Sequence, residues 1–245
     1  MQDIYLITGA SSDVGCALIR RLAGQDGEAM FIAQGAGDLN RLAELCREFP
    51  GRIRTYDVDL TDPHALGAFI ADVQAYCSAP THLVHLPALR VINTKFKKFD
   101  EDRFELDLSV QVRSAVKLCK TFLPAMAKAK RGRVLFMLTS YLIGVPPKNT
   151  AAYIMAKSAL GGLAKSLAAD YAPFGVTVNC VAPSMMETRF LADTSDLIVQ
   201  ASAEANPMGR NARVEDVVPA MAFLLGDEAG FITGVTLPIT GGSAF

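Results

Sequence analysis

The chain has 245 residues, 51% of them apolar, with 24 basic and 25 acidic side chains. That balance supplies a substantial core and argues against nucleic acid or an anionic membrane as the main partner. No apolar run reaches the ~18 residues of a membrane span.

Strand-length apolar runs alternate with longer amphipathic stretches. "IYLIT" (4–8) leads to a helix expected from about Val14 to Ala23. "AMFIA" (29–33) leads to "LNRLAELCREF", and "RIRTYDVDL" (52–60) to "PHALGAFIADVQAYC". "HLVHL" (82–86) is followed by a loop and a long helix, about Asp102 to Lys128. "RVLFMLTS" (133–140) precedes a helix expected over Ala151 to Tyr171. "VTVNCVAP" (176–183) runs into a polar, irregular segment, then the helix "VEDVVPAMAFLLG" and a last strand, "VTLPIT". Uninterrupted apolar strands separated by helices predict an α/β fold. It would be a single doubly wound, Rossmann-type domain over 1–245, with a parallel sheet of about seven strands and helices on both faces. The N-terminus enters a strand directly, with no basic leader segment. Five scattered cysteines lack metal spacing and read as reduced thiols, so the expected setting is cytoplasmic. His82 and His85, three apart on a strand, point to opposite faces and are not expected to share a metal.

In such sheets ligands bind at the carboxyl ends of the strands, so function is expected in the loops that follow them. In the first, "TGASSDVG", Gly9 and Gly15 bracket a strand-to-helix turn of the kind that brings a phosphate onto a helix N-terminus. Asp13 is a carboxylate where such a loop would avoid one. A strong helix-capping residue, it is expected to turn toward the helix's own N–H groups, weakening phosphate binding without abolishing it. In "AAYIMAKSALGG", Tyr153 and Lys157 stand four apart and share a helix face. An ammonium one turn away favours the phenolate and lowers a tyrosine pKa that is ordinarily about 10, so that the pair can pass a proton. Ser140 lies thirteen residues upstream, at the end of a buried strand on the same edge of the sheet.

Loop, YxxxK, upstream serine and "VNCVAPSMMET" together resemble the short-chain dehydrogenase/reductase family. The chain is most similar to bacterial single-domain 3-oxoacyl-[acyl-carrier-protein] reductases, over nearly its whole length. The resemblance implies that Tyr153 is the general acid/base, that Lys157 holds the nicotinamide ribose and tunes the tyrosine, and that Ser140 orients the substrate oxygen. It also implies a cofactor site formed by Gly9, Ser11, Ser12, Asp13, Val14 and Gly15 around the pyrophosphate. Asp59 and Leu60 would flank the adenine, Thr188 and the backbone near Pro183 would face the nicotinamide amide, and Pro87 and Met186 would also belong to the cofactor site. Four positions depart from the family pattern. Asp13 replaces its middle glycine, "HLPA" (85–88) its NNAG, Gln111 the asparagine of its catalytic tetrad, and Ser184 the glycine after its proline.

The region after the second strand, "AQGAGDLNR", carries Gly35 and Ala36 where NAD-preferring folds carry an acid, which favours NADP(H) over NAD(H). Asp38 is expected to cap the next helix. A lid at about 185–213 is expected over a substrate pocket containing Ser140, Tyr141, Met185, Met186 and Phe190, whose apolar character suits an acyl chain or hydrophobic ketone. The basic stretch "AKAKRGR" (127–133) is a candidate docking surface for an acyl carrier protein. The resulting expectation is an NAD(P)H-dependent carbonyl reductase acting on a 3-oxoacyl thioester or related ketone, in fatty acid or polyketide biosynthesis, assembled as a homotetramer or homodimer. An NAD-dependent alcohol or sugar dehydrogenase and a catalytically silent nucleotide-binding protein remain as alternatives.

Overall fold

The computed structural model describes residues 2–245. Among them seven strands run parallel in one sheet: β1 (Ile4–Thr8), β2 (Met30–Gly35), β3 (Ile53–Asp57), β4 (His82–His85), β5 (Gly132–Met137), β6 (Val176–Pro183) and β7 (Thr236–Ile239). Their order is β3-β2-β1-β4-β5-β6-β7, so the chain changes direction across the sheet between β1 and β4 and opens a crevice there at the strands' carboxyl ends. The eight α-helices are α1 (Asp13–Gln25), α2 (Asn40–Glu48), α3 (Pro63–Cys77), α4 (Glu101–Leu108), α5 (Ser114–Lys128), α6 (Ala151–Tyr171), α7 (Asp196–Ala205) and α8 (Val214–Leu225).

Alternation along each strand divides the core in two. Tyr5 and Ile7 of β1 face α1, α2 and α8, while Leu6 faces α3, α5 and α6. Such two-sided burial explains why the central strands read as continuous apolar runs. His82 and His85 obey the same rule. The first stacks on Tyr5 at 4.1 Å between ring centres and its Nε2 meets the Leu225 carbonyl at 3.1 Å, whereas the second faces the α4–α6 layer.

Two segments differ from the expected elements. The helix expected over 102–128 is interrupted by a π turn at Ser109–Arg113, between α4 and α5. The segment after β6 is not wholly irregular: it holds a 3-10 turn at Arg189–Leu191 and the helix α7. The basic stretch 127–133 requires a correction. It leads into the amino end of β5, opposite the crevice, where Arg131 pairs with Asp3 at 2.8 Å and the buried Arg133 with Asp227 at 3.3 Å. Its two arginines are paired, and the stretch lies at the end of the sheet opposite the cavity mouth.

Candidate active site

The first loop is shaped by glycine where nothing larger fits. Gly9 has φ +69°, and a Cβ there would lie 3.0 Å from the Pro87 nitrogen; a Cβ on Gly15 would lie 2.6 Å from the Ala10 carbonyl oxygen. Ser12, not Asp13, caps α1, its Oγ accepting from the Gly15 N–H at 3.0 Å. Asp13 is the first residue of the helix and turns outward. Its carboxylate accepts from Arg41 Nη1 and, at 2.8 Å, from the backbone N–H of Arg189 in the segment after β6. Partial burial works to raise the Asp13 pKa, but the Arg189 N–H and the Arg41 guanidinium outweigh it and hold the carboxyl below its usual range. The expected self-capping is therefore replaced by capture between two arginines. Asp38 accepts from the Asn40 N–H at 2.9 Å, just ahead of α2, although Leu39 occupies the cap position.

Gln34, a lone amide in the apolar β2, was not singled out by the sequence patterns. It is buried, accepts from the Gly9 N–H at 3.0 Å, and donates to the carbonyls of Gly35 (2.9 Å) and Val58 (2.7 Å). One side chain thus ties the glycine loop to the ends of β2 and β3.

A cavity of about 680 Å³ opens at the ends of β4, β5 and β6. Tyr153 and Lys157 line it from α6, with Tyr141, Met185, Met186 and Phe190 of the expected substrate set. Lys157 is buried and donates from Nζ to the Met137 carbonyl at 2.7 Å, its ammonium 5.8 Å from the centre of the Tyr153 ring. Burial lowers the Lys157 pKa to about 8 against the opposing pull of Asp107. Burial also raises the phenol of Tyr153, opposed by a hydrogen bond with Thr139. The lowering of the tyrosine expected from its lysine is not found: burial sets the direction of the shift.

Ser140 and Gln111 lie behind the cavity wall. Ser140 is buried at the start of a 3-10 turn (Ser140–Leu142), and its neighbours Thr139 and Tyr141 line the cavity instead. Thr139 is a second hydroxyl at the strand end that the thirteen-residue spacing to Tyr153 did not single out. Gln111 sits in the π turn and donates from Nε2 to Asp107 Oδ1 at 3.0 Å. Its backbone carbonyl pairs with His85 Nε2 at 3.0 Å, while His85 Nδ1 pairs with Thr8 Oγ1 at 2.7 Å. The "HLPA" segment thus supplies a brace of its own: one imidazole spans from the end of β1 to the π turn.

Pro183, Ser184, Met186 and Thr188 line the same cavity beside Asp13 and Val14. A second cavity, about 650 Å³, contains Gly9, Ser11, Asp59, Leu60 and Pro87. Ser12, Leu86, Arg189 and Phe190 line both, so the two form one groove across the crevice. The residues present fit a dinucleotide. The glycines let the loop pack against Pro87 and Ala10 while Gly9, Ser11 and Ser12 line the groove, and the buried Ser184 hydroxyl has no protein partner at the end where a carboxamide would lie. Gly15 packs against Ala10 and acts by close approach, without lining the groove.

Comparison with known proteins agrees with this geometry. A family profile described as enoyl-(acyl carrier protein) reductase matches residues 9–244. The cis-4-hydroxycyclohexanecarboxylate dehydrogenase of Sinomonas cyclohexanicum is 30% identical over 242 residues, covering 98% of this chain and 96% of that protein. The 3-oxoacyl-[acyl-carrier-protein] reductase of Escherichia coli is 29% identical over 239 residues, with the same coverage. Among solved structures, a putative NAD(P)-dependent gluconate 5-dehydrogenase from Beutenbergia cavernae, crystallised with NADP, superposes with a TM-score of 0.88 at 26% identity. That match covers 98% of this chain and 96% of the other. The chain belongs to the short-chain dehydrogenase/reductase family of NAD(P)-dependent oxidoreductases.

Proposed function

We propose that the protein is a carbonyl reductase that takes hydride from NADPH to a keto group in a hydrophobic substrate, a 3-oxoacyl thioester or related ketone. One observation carries this reading. Tyr153 and Lys157 line the wall of an apolar cavity continuous with the glycine-loop crevice, so a proton donor and a hydride donor would meet at one carbonyl. The nicotinamide supplies the hydride. Tyr153 gives its phenolic proton to the carbonyl oxygen, and Lys157 restores it and holds the ribose. The hydroxyl of Thr139, which lines the cavity, steadies the oxygen, with the buried Ser140 behind it. Leu86, Val91, Leu138, Met185 and Ile198 give the cavity its apolar lining, which suits an acyl or alicyclic body. NADPH is favoured because Gly35, the last residue of β2, and Ala36 stand where NAD-preferring folds carry an acid, while the nearby carboxylates of Asp57 and Asp38 are engaged by the Gly37 and Asn40 N–H groups.

Residues 185–213 act as the lid. Their base is closed by a parallel bridge between Met186 and Ala212, and Arg90 reaches across the mouth to Asp193. Leu106, Val116 and Met155 remain exposed on α4, α5 and α6, a surface suited to a homodimer or homotetramer. All five cysteines are free thiols and no described helix is long and apolar enough to cross a membrane, which supports a cytoplasmic enzyme. The 127–133 stretch lies away from the cavity mouth, so a substrate carried by an acyl carrier protein, as the name of the Escherichia coli relative suggests, would dock elsewhere on the surface.

The dehydrogenase relative favours a second reading, oxidation of an alicyclic alcohol, for which NAD would be the oxidant. Oxidation of NADPH and of NADH by the purified protein with an acetoacetyl thioester, beside Tyr153→Phe, tests the first reading. NADPH consumption that vanishes in the variant supports it. Turnover only with NAD and a cyclohexanol supports the second and sinks the first.

A further inference from the structure

The family's glycine position holds Asp13, and the lid contacts this residue directly. Asp13 Oδ2 accepts from the backbone N–H of Arg189 at 2.8 Å, and Oδ1 lies 3.4 Å from Arg189 Nε. Arg189 Nη2 donates in turn to the Ser11 carbonyl at 2.9 Å. Main chain and side chain of one lid residue are therefore both fastened to the glycine loop, across 176 positions of sequence. On the other side, Arg41 Nη1 donates to Asp13 Oδ1 at 2.5 Å. The loop thus carries one carboxylate and two guanidinium groups, a net positive charge.

Arg189 also lines both halves of the groove, the adenosine side with Asp59 and Leu60 and the nicotinamide side with Pro183 and Met186. A dinucleotide laid along the groove must pass this strait with its diphosphate over the Ser11–Val14 turn, where the helix N-terminus favours an anion. The diphosphate then reaches the position from which Arg189 contacts the loop. An isolated exposed ion pair would contribute little. Here, however, charge-assisted hydrogen bonds to backbone and side chain act together, and a guanidinium fork suits phosphate oxygens at least as well as a carboxylate.

We propose that Asp13 is a latch for the lid, and that cofactor binding moves Arg189 from Asp13 and the Ser11 carbonyl onto the diphosphate. Arg41 stays with Asp13 and neutralises it, so the carboxylate does not repel the incoming phosphates. Arg189 is thus a cofactor-binding residue, held ready by the carboxylate that a phosphate loop would ordinarily avoid. The inference rests on the cofactor class of the family and not on the keto substrate.

The test needs no turnover. NADPH is titrated by its own fluorescence into the natural protein, Asp13→Ala, Arg189→Gln and the double variant. Trypsin cleavage after Arg189 is followed in parallel, and thermal melting confirms folding. Asp13→Ala is expected to bind NADPH about fivefold more tightly or better. It should be cut after Arg189 several times faster than the natural protein without cofactor, and be protected once NADPH is added. Arg189→Gln should weaken binding and erase the gain from Asp13→Ala. An equal gain with and without Arg189 would overturn the exchange, because Asp13 would then act by repulsion alone. Unchanged cleavage in Asp13→Ala would overturn the latch. Should Asp13→Ala fail to fold, Asp13→Asn removes the charge while keeping the shape, and is read by the same two criteria. A protein that binds NADPH in this way but reduces no ketone would refute the proposed substrate and leave the latch standing.

Discussion

Lys157 Nζ donates to the Met137 carbonyl at 2.7 Å and stands 5.8 Å from the centre of the Tyr153 ring. This places the lysine as the first of the pair to lose its proton as pH rises. Burial brings its pKa down to about 8, while burial of Tyr153 pushes the phenol up. Ketone reduction consumes a proton, and the ammonium that resupplies it is present below about pH 8 and lost above. The rate of reduction, kcat/KM, should therefore be level below that pH and decline above it, while alcohol oxidation rises over the same interval. Tyr153→Phe should lower kcat by roughly 100-fold or more. A reduction profile that climbed through pH 8 would remove Lys157 from the proton path.

Thr139 and Ser140 offer adjacent hydroxyls, but the cavity wall includes the first and not the second. Thr139 accepts from the Tyr141 N–H at 3.4 Å and hydrogen-bonds Tyr153. Thr139→Val should lower kcat about 100-fold, comparable to losing one preorganised donor at a developing oxyanion. It should leave NADPH affinity, read by fluorescence, within about twofold, since no cofactor contact is lost. Full activity in Thr139→Val, with loss in Ser140→Ala, would assign the donor to the serine alone.

His85 joins the Thr8 hydroxyl to the Gln111 carbonyl inside the α4–α6 layer. Its burial brings the imidazole pKa down to about 3, so it stays neutral and acts through hydrogen bonds. Replacing it with alanine removes the side-chain partner of the Gln111 carbonyl, leaves the Thr8 hydroxyl only its 3.4 Å contact with the Val84 carbonyl, and opens a cavity. The expected loss is about 2–4 kcal/mol, measured as a lower urea midpoint at unchanged slope. A loss below ~0.5 kcal/mol would mean that the π turn needs no brace.

What the sequence made legible follows from period and spacing. α3 and α6 fall at the predicted residues because proline, an aspartate cap or the Tyr-Lys face marks them, and β6 because six of its eight buried residues are apolar. The π turn was not legible, since one extra residue in a turn leaves the amphipathic pattern of 102–128 nearly intact. α7 was hidden because none of its side chains is fully buried, so it lacks the apolar stripe that announces a helix. The capture of Asp13 depends on Arg41 and Arg189, 28 and 176 positions away, which no local pattern connects. The placement of 127–133 failed for the opposite reason: charge was visible, but its end of the sheet was not.

Gln34 offers the last test of how the glycine loop is held. Its amide serves the Gly9 N–H and the carbonyls of Gly35 and Val58 from within the sheet. A leucine fills nearly the same space, so Gln34→Leu removes hydrogen bonds while creating little cavity. The Gly9 N–H and the Val58 carbonyl would then lose the amide's hydrogen bonds, while the Gly35 carbonyl keeps the Val58 N–H at 2.9 Å, at about 1–3 kcal/mol for each group left buried without a partner. The cheapest relief is for the loop to move outward, which disturbs the surface that receives the diphosphate. Gln34→Leu should therefore lose about 2–4 kcal/mol in urea unfolding and bind NADPH about tenfold more weakly. Gln34→Glu separates the two effects. It keeps the acceptor for Gly9 but has no donor for the carbonyls, so affinity should largely return while stability does not. If both variants bind NADPH as the natural protein does, the loop is held by its glycines and the Ser12 cap alone.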